Sequence, residues 1–329
     1  MKRCFFFLPL ATALAMSAAC ADPQNIPLPP PTPLYTDPNA PAGTTGQAKT
    51  ADALGPIAKD KAANYTDDQL RAMGTGVAFP YELLDVVLRR YVSPKGEMYY
   101  LKAKGDNDLD TFARAVAVAD LGQFPSFPMP VDRNDPNKGT YQDTSAELTF
   151  WINAYNGLRL KAICDLYPVS SLNQLKDFET AKTQTVAGKK YSFADLRDKI
   201  GKMDPRALFA ITTGTEEGPG IPLAVFRFSR LSEQLELAAK SFVNDPNKVS
   251  TPDRLANKVQ VSPYLKEVDP YFAGKSSRRK FGGIREVLGT YSASSVSRNY
   301  FVTGEYTINF TLINPKLNEQ LGQLAPISN

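Results

Sequence analysis

The sequence predicts an α+β protein with a single globular domain, in which amphipathic helices surround a small, mainly antiparallel sheet. Three observations lead to this prediction. Apolar residues recur at helical spacing in several segments, short extended segments lie between them, and no internal repeat divides the chain. Of the 329 residues, 43% are hydrophobic, which is enough apolar material for a sizeable core.

The first residues have the pattern of an export signal. Lys2 and Arg3 precede an apolar segment from Cys4 to Met16, and the small residues SAAC follow it. The apolar segment is shorter than a membrane-spanning helix requires, and this order of segments is typical of a signal peptide. We therefore predict a signal peptide over residues 1–19.

Two cleavage sites are compatible with this signal. In the first, SAAC is a lipobox and Cys20 becomes the lipidated first residue, which anchors the protein in the bacterial envelope, at the outer membrane if the cell has two membranes. In the second, cleavage after Ala21 releases a soluble periplasmic or secreted protein. We favour lipidation, because Cys20 directly follows the apolar segment and a proline-rich tether follows it over residues 20–56.

Composition excludes several functions. Without Lys2 and Arg3 the net charge falls from +4 to +2, which is too balanced to predict a nucleic-acid partner. The chain has no histidine, so Ser-His-Asp and Cys-His mechanisms are excluded. If Cys20 is acylated, Cys164 is the only thiol left, and one cysteine among carboxylates is a poor zinc ligand set. We therefore expect no metal and no other cofactor.

The globular domain, predicted over residues 57–329, contains five helices in which apolar side chains recur every three or four residues. They cover residues 80–92, 106–121, 144–168, 229–245 and 281–291. The helix at 144–168 has the widest apolar stripe, so we expect it to be packed on most sides. Thr144 and Glu147 have capping-box spacing at its start, and Pro168 ends it. Ser229 is the expected cap of the next helix, and Cys164 is expected to be a core residue.

Shorter segments between the helices are predicted to be extended, because they alternate or carry a continuous apolar run. The predicted strands lie within residues 93–100, 207–213, 257–262 and 305–314. In the last of them Tyr306, Ile308, Phe310 and Leu312 alternate with other residues, which indicates a half-buried strand. Residues 122–143 are rich in proline and asparagine and have no period, so we interpret them as a long surface loop.

The segment ELTFWINAYNGLRLKAICDLYPVSSL, residues 147–172, resembles the domain of unknown function 547 family. The family's hallmark is a helix with phenylalanine-tryptophan-isoleucine-asparagine-x-tyrosine-asparagine that ends in tyrosine-proline-valine. Similar segments follow in order: GKKYSFADLRDKI for a short hairpin and a serine-led segment, DPRALFAITTG for a strand, LSEQLELAAKSFVNDPNKV for a helix and YTINFTLIN for a terminal strand. The resemblance covers about residues 80–315, which we take as the family-like core.

The chain departs from the family where the family carries reactive side chains. The resemblance matches a histidine with Leu208, an asparagine-cysteine-glycine with Thr212, Thr213 and Gly214, a second cysteine with Gly218, and a glutamate followed by histidine or asparagine with Arg197 and Asp198. The aspartates usual near the terminal strand are hydrophobic or amide here. The resemblance therefore implies a degenerate family site in this protein.

These matches and the local chemistry give a set of candidate site residues. They are Asn153, Asn156, Asp198, Arg206, Thr212, Thr213, Gly214 and Glu217. Asn153 and Asn156 share one flank of their helix, where they either bind a ligand or cap loop backbone inside the core. Glu216 and Glu217 are either a general acid and base or a solvated turn, and Arg206 either forms an ion pair or captures an anion.

A basic segment offers a further surface for a partner. Lys275, Arg278, Arg279 and Lys280 lie close together between residues 274 and 283. They either meet anionic lipid headgroups or acidic envelope polymers, or they form a solvated loop.

The sequence thus predicts an envelope-tethered binding or scaffolding protein with a degenerate site, and it leaves enzymatic activity open. Its expected partners are the membrane, through the lipid on Cys20, and an envelope polymer or protein. The alternative is a hydrolase or transferase that uses Glu217, Asp198 and Thr213 on an envelope substrate, which requires a raised carboxylate pKa in an open cleft. A purely structural partner of another envelope protein would instead carry an exposed apolar patch.

Overall fold

The computed structural model describes residues 65–73, 79–130, 139–273, 283–311 and 316–320, all within one compact unit. The predicted signal peptide, Cys20 and the tether at residues 20–56 lie outside the described residues, as do Leu312 and the basic segment's four cationic side chains. None of the described helices is long and apolar enough to cross a membrane.

The described part of the chain contains ten α-helices and six short strands, which confirms the α+β class. The helices are α1 (Asp67–Met73), α2 (Tyr81–Tyr91), α3 (Tyr100–Ala103), α4 (Asn107–Val118), α5 (Ser145–Leu166), α6 (Phe193–Met203), α7 (Leu231–Val243), α8 (Tyr264–Ala273), α9 (Ile284–Tyr291) and α10 (Ser295–Thr303). The strands are β1 (Phe127–Pro130), β2 (Thr140–Asp143), β3 (Gln184–Val186), β4 (Lys189–Tyr191), β5 (Lys258–Val261) and β6 (Thr307–Phe310).

The strands form three separate pairs and no common sheet. The pairs β1–β2 and β3–β4 are antiparallel, whereas β5 and β6 pair in parallel. The alternating apolar side chains at β6 become more exposed along the chain. Tyr306, just before the strand, is buried, Ile308 is partly buried and Phe310 is exposed. The fold is therefore organised by its helices, and each strand pair links two segments of the chain.

Helix α5 is the element around which the core is built. Every residue from Leu148 to Leu160 is buried, and helices α2, α4 and α6 pack against it. A helix that is buried around its whole circumference is covered on all sides, as the wide apolar stripe predicted. Cys164 near its end is 1% exposed, which confirms it as a core residue.

The helix caps differ in part from the predicted ones. Thr144 makes no side-chain capping bond, and Glu147 instead accepts a hydrogen bond from Trp151 Nε1 at 2.9 Å. The predicted capping box at α5 is therefore wrong. The box occurs at α6, where Ser192 caps the helix and Asp195 reaches back to it. The predicted cap Ser229 lies in a 3₁₀ turn (Phe228–Arg230), and α7 starts after it.

Three segments have a different conformation from the predicted one. The strand predicted within residues 93–100 is a turn with an isolated bridge at Met98, and α3 starts at Tyr100. Residues 207–213 are not a strand: Pro205–Phe209 form a 3₁₀ turn that starts where the Asp204 carboxylate accepts a hydrogen bond from Arg206 N, and a loop follows. The predicted surface loop at 122–143 contains the antiparallel pair β1–β2. Proline-rich strands at an edge lack the alternation that identifies a strand in sequence.

Candidate functional site

Asn153 on α5 binds the backbone of a loop that crosses the helix. Its Nδ2 donates to Phe226 O and its Oδ1 accepts from Phe226 N, both at 2.9 Å. The side chain is 1% exposed, so both ends of the amide are engaged inside the core. Of the two roles that the sequence left open, this contact is the capping of loop backbone.

Asn156, about one helical turn later, also binds the backbone of this loop. Its Nδ2 donates to Ala210 O at 3.0 Å, and its Oδ1 accepts from Thr212 N at 2.8 Å. The side chain is completely buried. Together the two asparagines hold both ends of the segment 210–226, which we name the stapled loop. A ligand could reach neither amide without displacing a backbone bond.

Arg159 is the third member of this row, and the sequence reasoning missed it. Its Nε and Nη2 donate to Thr213 O at 3.0 and 2.7 Å, and Nη2 also pairs with Glu179 Oε1 at 2.6 Å. The guanidinium lies 4.9 Å from the ring centroid of Phe178. The signal that could have found it is the continued spacing of three residues from Asn153 and Asn156.

The predicted residues at the start of the stapled loop bond mainly to one another. Thr212 Oγ1 donates to Pro219 O at 3.2 Å and accepts from Gly214 N at 3.0 Å. Thr213 Oγ1 lies 2.9 Å from Thr215 Oγ1. Gly214 has a φ of +72°, which favours glycine. The hydroxyl groups in this part of the loop thus already have protein partners.

Thr213 and Gly218, the positions that the resemblance matches with two cysteines, lie side by side. A Cβ atom added at Gly218 would be 2.1 Å from Thr213 Oγ1 and 2.7 Å from Thr213 Cβ. The loop therefore folds back on itself tightly, and this turn requires a glycine at position 218.

The Gly218→Ala variant tests this close approach. We expect it to lower the free energy of unfolding by about 1–3 kcal/mol, because the new methyl group overlaps the threonine side chain. Urea unfolding followed by circular dichroism measures the change. Gly220→Ala in the same loop is the matched control, since nothing lies within 4 Å of its added Cβ. Equal stability of the two variants would contradict the packing described here.

Residues 316–320, which we name the C-terminal strap, hold the loop from its outer side. Asn318 N donates to Gly214 O at 2.9 Å, and Glu216 N donates to Lys316 O at 3.0 Å. The strap also pairs with the turn after α2, where Met98 N donates to Asn318 O at 3.0 Å. The stapled loop is thus fixed by side chains of α5 on one side and by backbone on the other.

Asp198 and Arg206 lie in ion pairs away from these loop residues. Asp198 on α6 binds Lys202 Nζ at 2.6 Å and accepts from the Tyr271 hydroxyl at 3.1 Å. Arg206 is buried, and it pairs with Asp204 at 2.7 Å and with Glu236 at 2.9 Å. Of the two roles that the sequence left open for Arg206, the structure therefore shows the ion pair. Its guanidinium lies at the edge of a cleft of about 620 Å³.

Two further family-matched positions show how the interior is filled. Leu208 is completely buried, and a Cβ added at Gly201 would lie 3.2 Å from its Cδ1. Tyr264 donates its hydroxyl to Leu208 O at 2.5 Å. Arg197 pairs with Glu267 at 2.9 Å. A buried apolar side chain and an arginine in a partly exposed ion pair thus stand where the resemblance implies a histidine and a glutamate.

Glu217 is the candidate whose protonation differs most clearly from that of a surface residue. Burial, followed by the nearby charge of Glu267, raises the pKa of the Glu217 carboxyl, while the charge of Lys248 opposes the rise. The backbone is fixed, since Ser262 Oγ donates to Glu217 O at 2.6 Å. By contrast, burial raises the pKa of the Cys164 thiol to about 12, so it stays protonated.

An open cleft of about 790 Å³, which we name the loop cleft, lies beside the stapled loop. Its apolar walls include Phe209, Ile221, Phe226 and Phe242, and its charged groups are Lys95, Glu97, Glu216, Asp245 and Lys248. Of the stretch 212–217 only Glu216 lines it, and Asn153 and Asn156 do not. The predicted site residues therefore do not form one cleft. Four of the eight lie in the stapled loop beside the cleft, and Asn153 and Asn156 hold that loop from α5.

The described residues contain no group of three or more histidine, cysteine, aspartate or glutamate side chains arranged to hold a metal ion. None of the five charged residues that line the loop cleft forms an ion pair with another described residue. The part of the chain that the structure describes thus offers the loop cleft, rather than a metal centre, as its candidate functional site.

The comparison with known proteins finds similarity in the region that contains the stapled loop. No curated protein and no solved structure matches the chain. The model of the family "Protein of unknown function, DUF547" matches residues 141–243. This range spans α5, the pair β3–β4, α6, the stapled loop and α7, and so includes every staple described above. Over residues 141–243, the sequence of this chain is therefore similar to the DUF547 family of proteins of unknown function.

Proposed function

We propose that this protein is an envelope-tethered binding or scaffolding protein that holds a ligand in the loop cleft without converting it. The observation that carries the proposal is the contrast between two neighbouring places. At Thr212–Thr215 the hydroxyl groups form hydrogen bonds within the loop. The adjacent loop cleft, by contrast, is open and is lined by both apolar and charged side chains. Such a combination is typical of a ligand site.

The envelope part of the proposal is supported by the sequence. The basic start, the apolar segment and SAAC before Cys20 have the order of a bacterial lipoprotein signal. The proline-rich residues 20–56 would then separate the domain from the membrane. An envelope polymer or another envelope protein is accordingly the ligand class that we propose.

A binding experiment on the purified full chain tests the proposal. Fragments from an enzymatic digest of envelope polysaccharide and peptidoglycan are screened by saturation-transfer NMR for compounds that bind and stay unchanged. In the Ser241→Trp variant we expect the signals to disappear, because Ser241 is exposed and lines the cleft. In Lys240→Trp, the exposed neighbour outside the lining, we expect the signals to remain.

Either of two results would overturn the proposal. Signals that persist in Ser241→Trp would place the ligand elsewhere. A fragment that is converted during the measurement, with conversion lost in Thr213→Ala or Glu217→Gln, would show catalysis.

The second candidate function is that of a hydrolase or transferase that uses Glu217, Asp198 and Thr213. The raised pKa of Glu217 favours it, since catalytic carboxyl groups commonly have this property. Two contacts argue against it. Asp198 is bound to Lys202 and Tyr271, and Thr213 Oγ1 is bonded to Thr215. The conversion assay above separates the two functions.

A further inference from the structure

Lys248 differs from the other partly buried lysines of the described chain. It lines the loop cleft and is partly buried, yet its ammonium makes no ion pair or hydrogen bond with any described residue. Lys161 is also partly buried, and it pairs with Asp110 at 2.7 Å and with Asp165 at 3.0 Å. Burying an amine without a direct partner disfavours its charged form.

The groups around Lys248 only partly offset this burial. Removal from water lowers the pKa of the Lys248 amine, although the charges of Asp245, Glu216 and Glu217 act in the opposite direction. These three carboxylates come from the loop after α7 and from the stapled loop, the two segments that face the amine. A larger share of neutral amine is therefore present than at an ordinary surface lysine.

The backbone of Lys248 is fixed by Ser262. Ser262 N donates to Lys248 O at 2.7 Å, and its Oγ donates to Glu217 O at 2.6 Å. The two backbones are thus joined through one residue next to β5. A lysine whose backbone is fixed and whose side chain lines an open cleft, without a competing ion pair to a described residue, has the placement of a lysine nucleophile.

We propose that Lys248 captures a carbonyl ligand of the loop cleft as an imine. The amine nitrogen attacks the carbonyl carbon, the carbonyl oxygen leaves as water with the two amine protons, and a carbon–nitrogen double bond remains. Among envelope ligands this selects those with an aldehyde or ketone group and an apolar part that contacts Phe209, Phe226 or Phe242 in the cleft wall. Water reverses the imine and returns the ligand unchanged, so the capture is binding and not turnover. This inference rests on the proposed function, because it uses the same cleft.

Reductive trapping on the full chain tests the inference. The protein is incubated with pyridoxal at neutral pH and reduced with borohydride, and the modified lysines are located by peptide mapping. We expect severalfold more label on Lys248 than on Lys95, the exposed lysine of the same cleft, or on the ion-paired Lys161. Equal or stronger labelling of Lys95 would overturn the inference, because exposure alone would then set reactivity.

Two variants distinguish the possible failures. Lys248→Arg keeps the charge but has no such amine, so its label should vanish while label on Lys95 remains. Ser241→Trp should reduce label on Lys248 by closing the cleft, and unchanged label would overturn the role of the cleft. Absence of label on Lys248, together with cleft binding of envelope fragments, would remove this inference alone. Loss of both would remove the proposed function as well.

Discussion

Replacing Arg159 with methionine is expected to lower the free energy of unfolding by about 2–4 kcal/mol, because a buried guanidinium is lost from one carbonyl and one partly exposed carboxylate, at about 1–3 kcal/mol for each group left without its donor. Arg159 is 2% exposed, and it supplies both hydrogen bonds that Thr213 O receives from side chains. Methionine fills much of the volume but leaves that carbonyl and the Glu179 carboxylate without their donor. Urea unfolding of the full chain measures the loss.

Lys161→Met is the matched control on the same helix. Lys161 also forms two ion pairs, with Asp110 and Asp165, but both carboxylates are about half exposed. Pairs of this kind contribute about 0–1 kcal/mol. A loss for Arg159→Met no larger than that of Lys161→Met would show that the guanidinium does not hold the loop.

The Asn156→Ala variant is expected to lose about 2–6 kcal/mol of unfolding free energy, since it leaves two buried backbone groups without partners at about 1–3 kcal/mol each. These groups are Thr212 N and Ala210 O, and Asn156 is completely buried. The effect should also be local, so hydrogen exchange at the Thr212 amide should become faster than at amides within α4. Mass spectrometry of exchanged peptides measures this difference.

Asn173→Ala provides the comparison, because Asn173 is exposed in the 3₁₀ turn Leu172–Gln174. Surface substitutions of this kind change stability by about 0.5 kcal/mol or less. If Asn156→Ala were as mild, or if its exchange rose uniformly over the chain, the amide would not be a staple of this loop.

The sequence allowed the main helices to be predicted, because each has its own apolar period. Helix α5 is the clearest example, with continuous burial from Leu148 to Leu160. The 3₁₀ turn at Pro205–Phe209 could not be predicted in the same way. Its residues lie in a fully buried apolar run, and such a run has no period that distinguishes a strand from a helical turn.

The candidate site could be predicted only in part. The spacing of Asn153 and Asn156 indicated that they share one flank of α5, and both face the stapled loop. The role of Arg159 depends on Glu179 and Thr213, which are distant in sequence. Lys248 was not singled out, because its place in the cleft arises from the packing of segments that are distant in sequence. Contacts of this kind have no local pattern.

The C-terminal strap has a consequence for the order in which the chain folds. Asn318 donates its side-chain amide to Gly96 O at 2.8 Å, across a separation of 222 residues. Contacts between such distant residues form slowly, since a very large chain loop must close first. Helices such as α5 can form from neighbouring residues, but the turn at 93–98 and the outer side of the stapled loop must wait for residues 316–320. The loop cleft is therefore expected to be among the last parts of the molecule to reach its final shape.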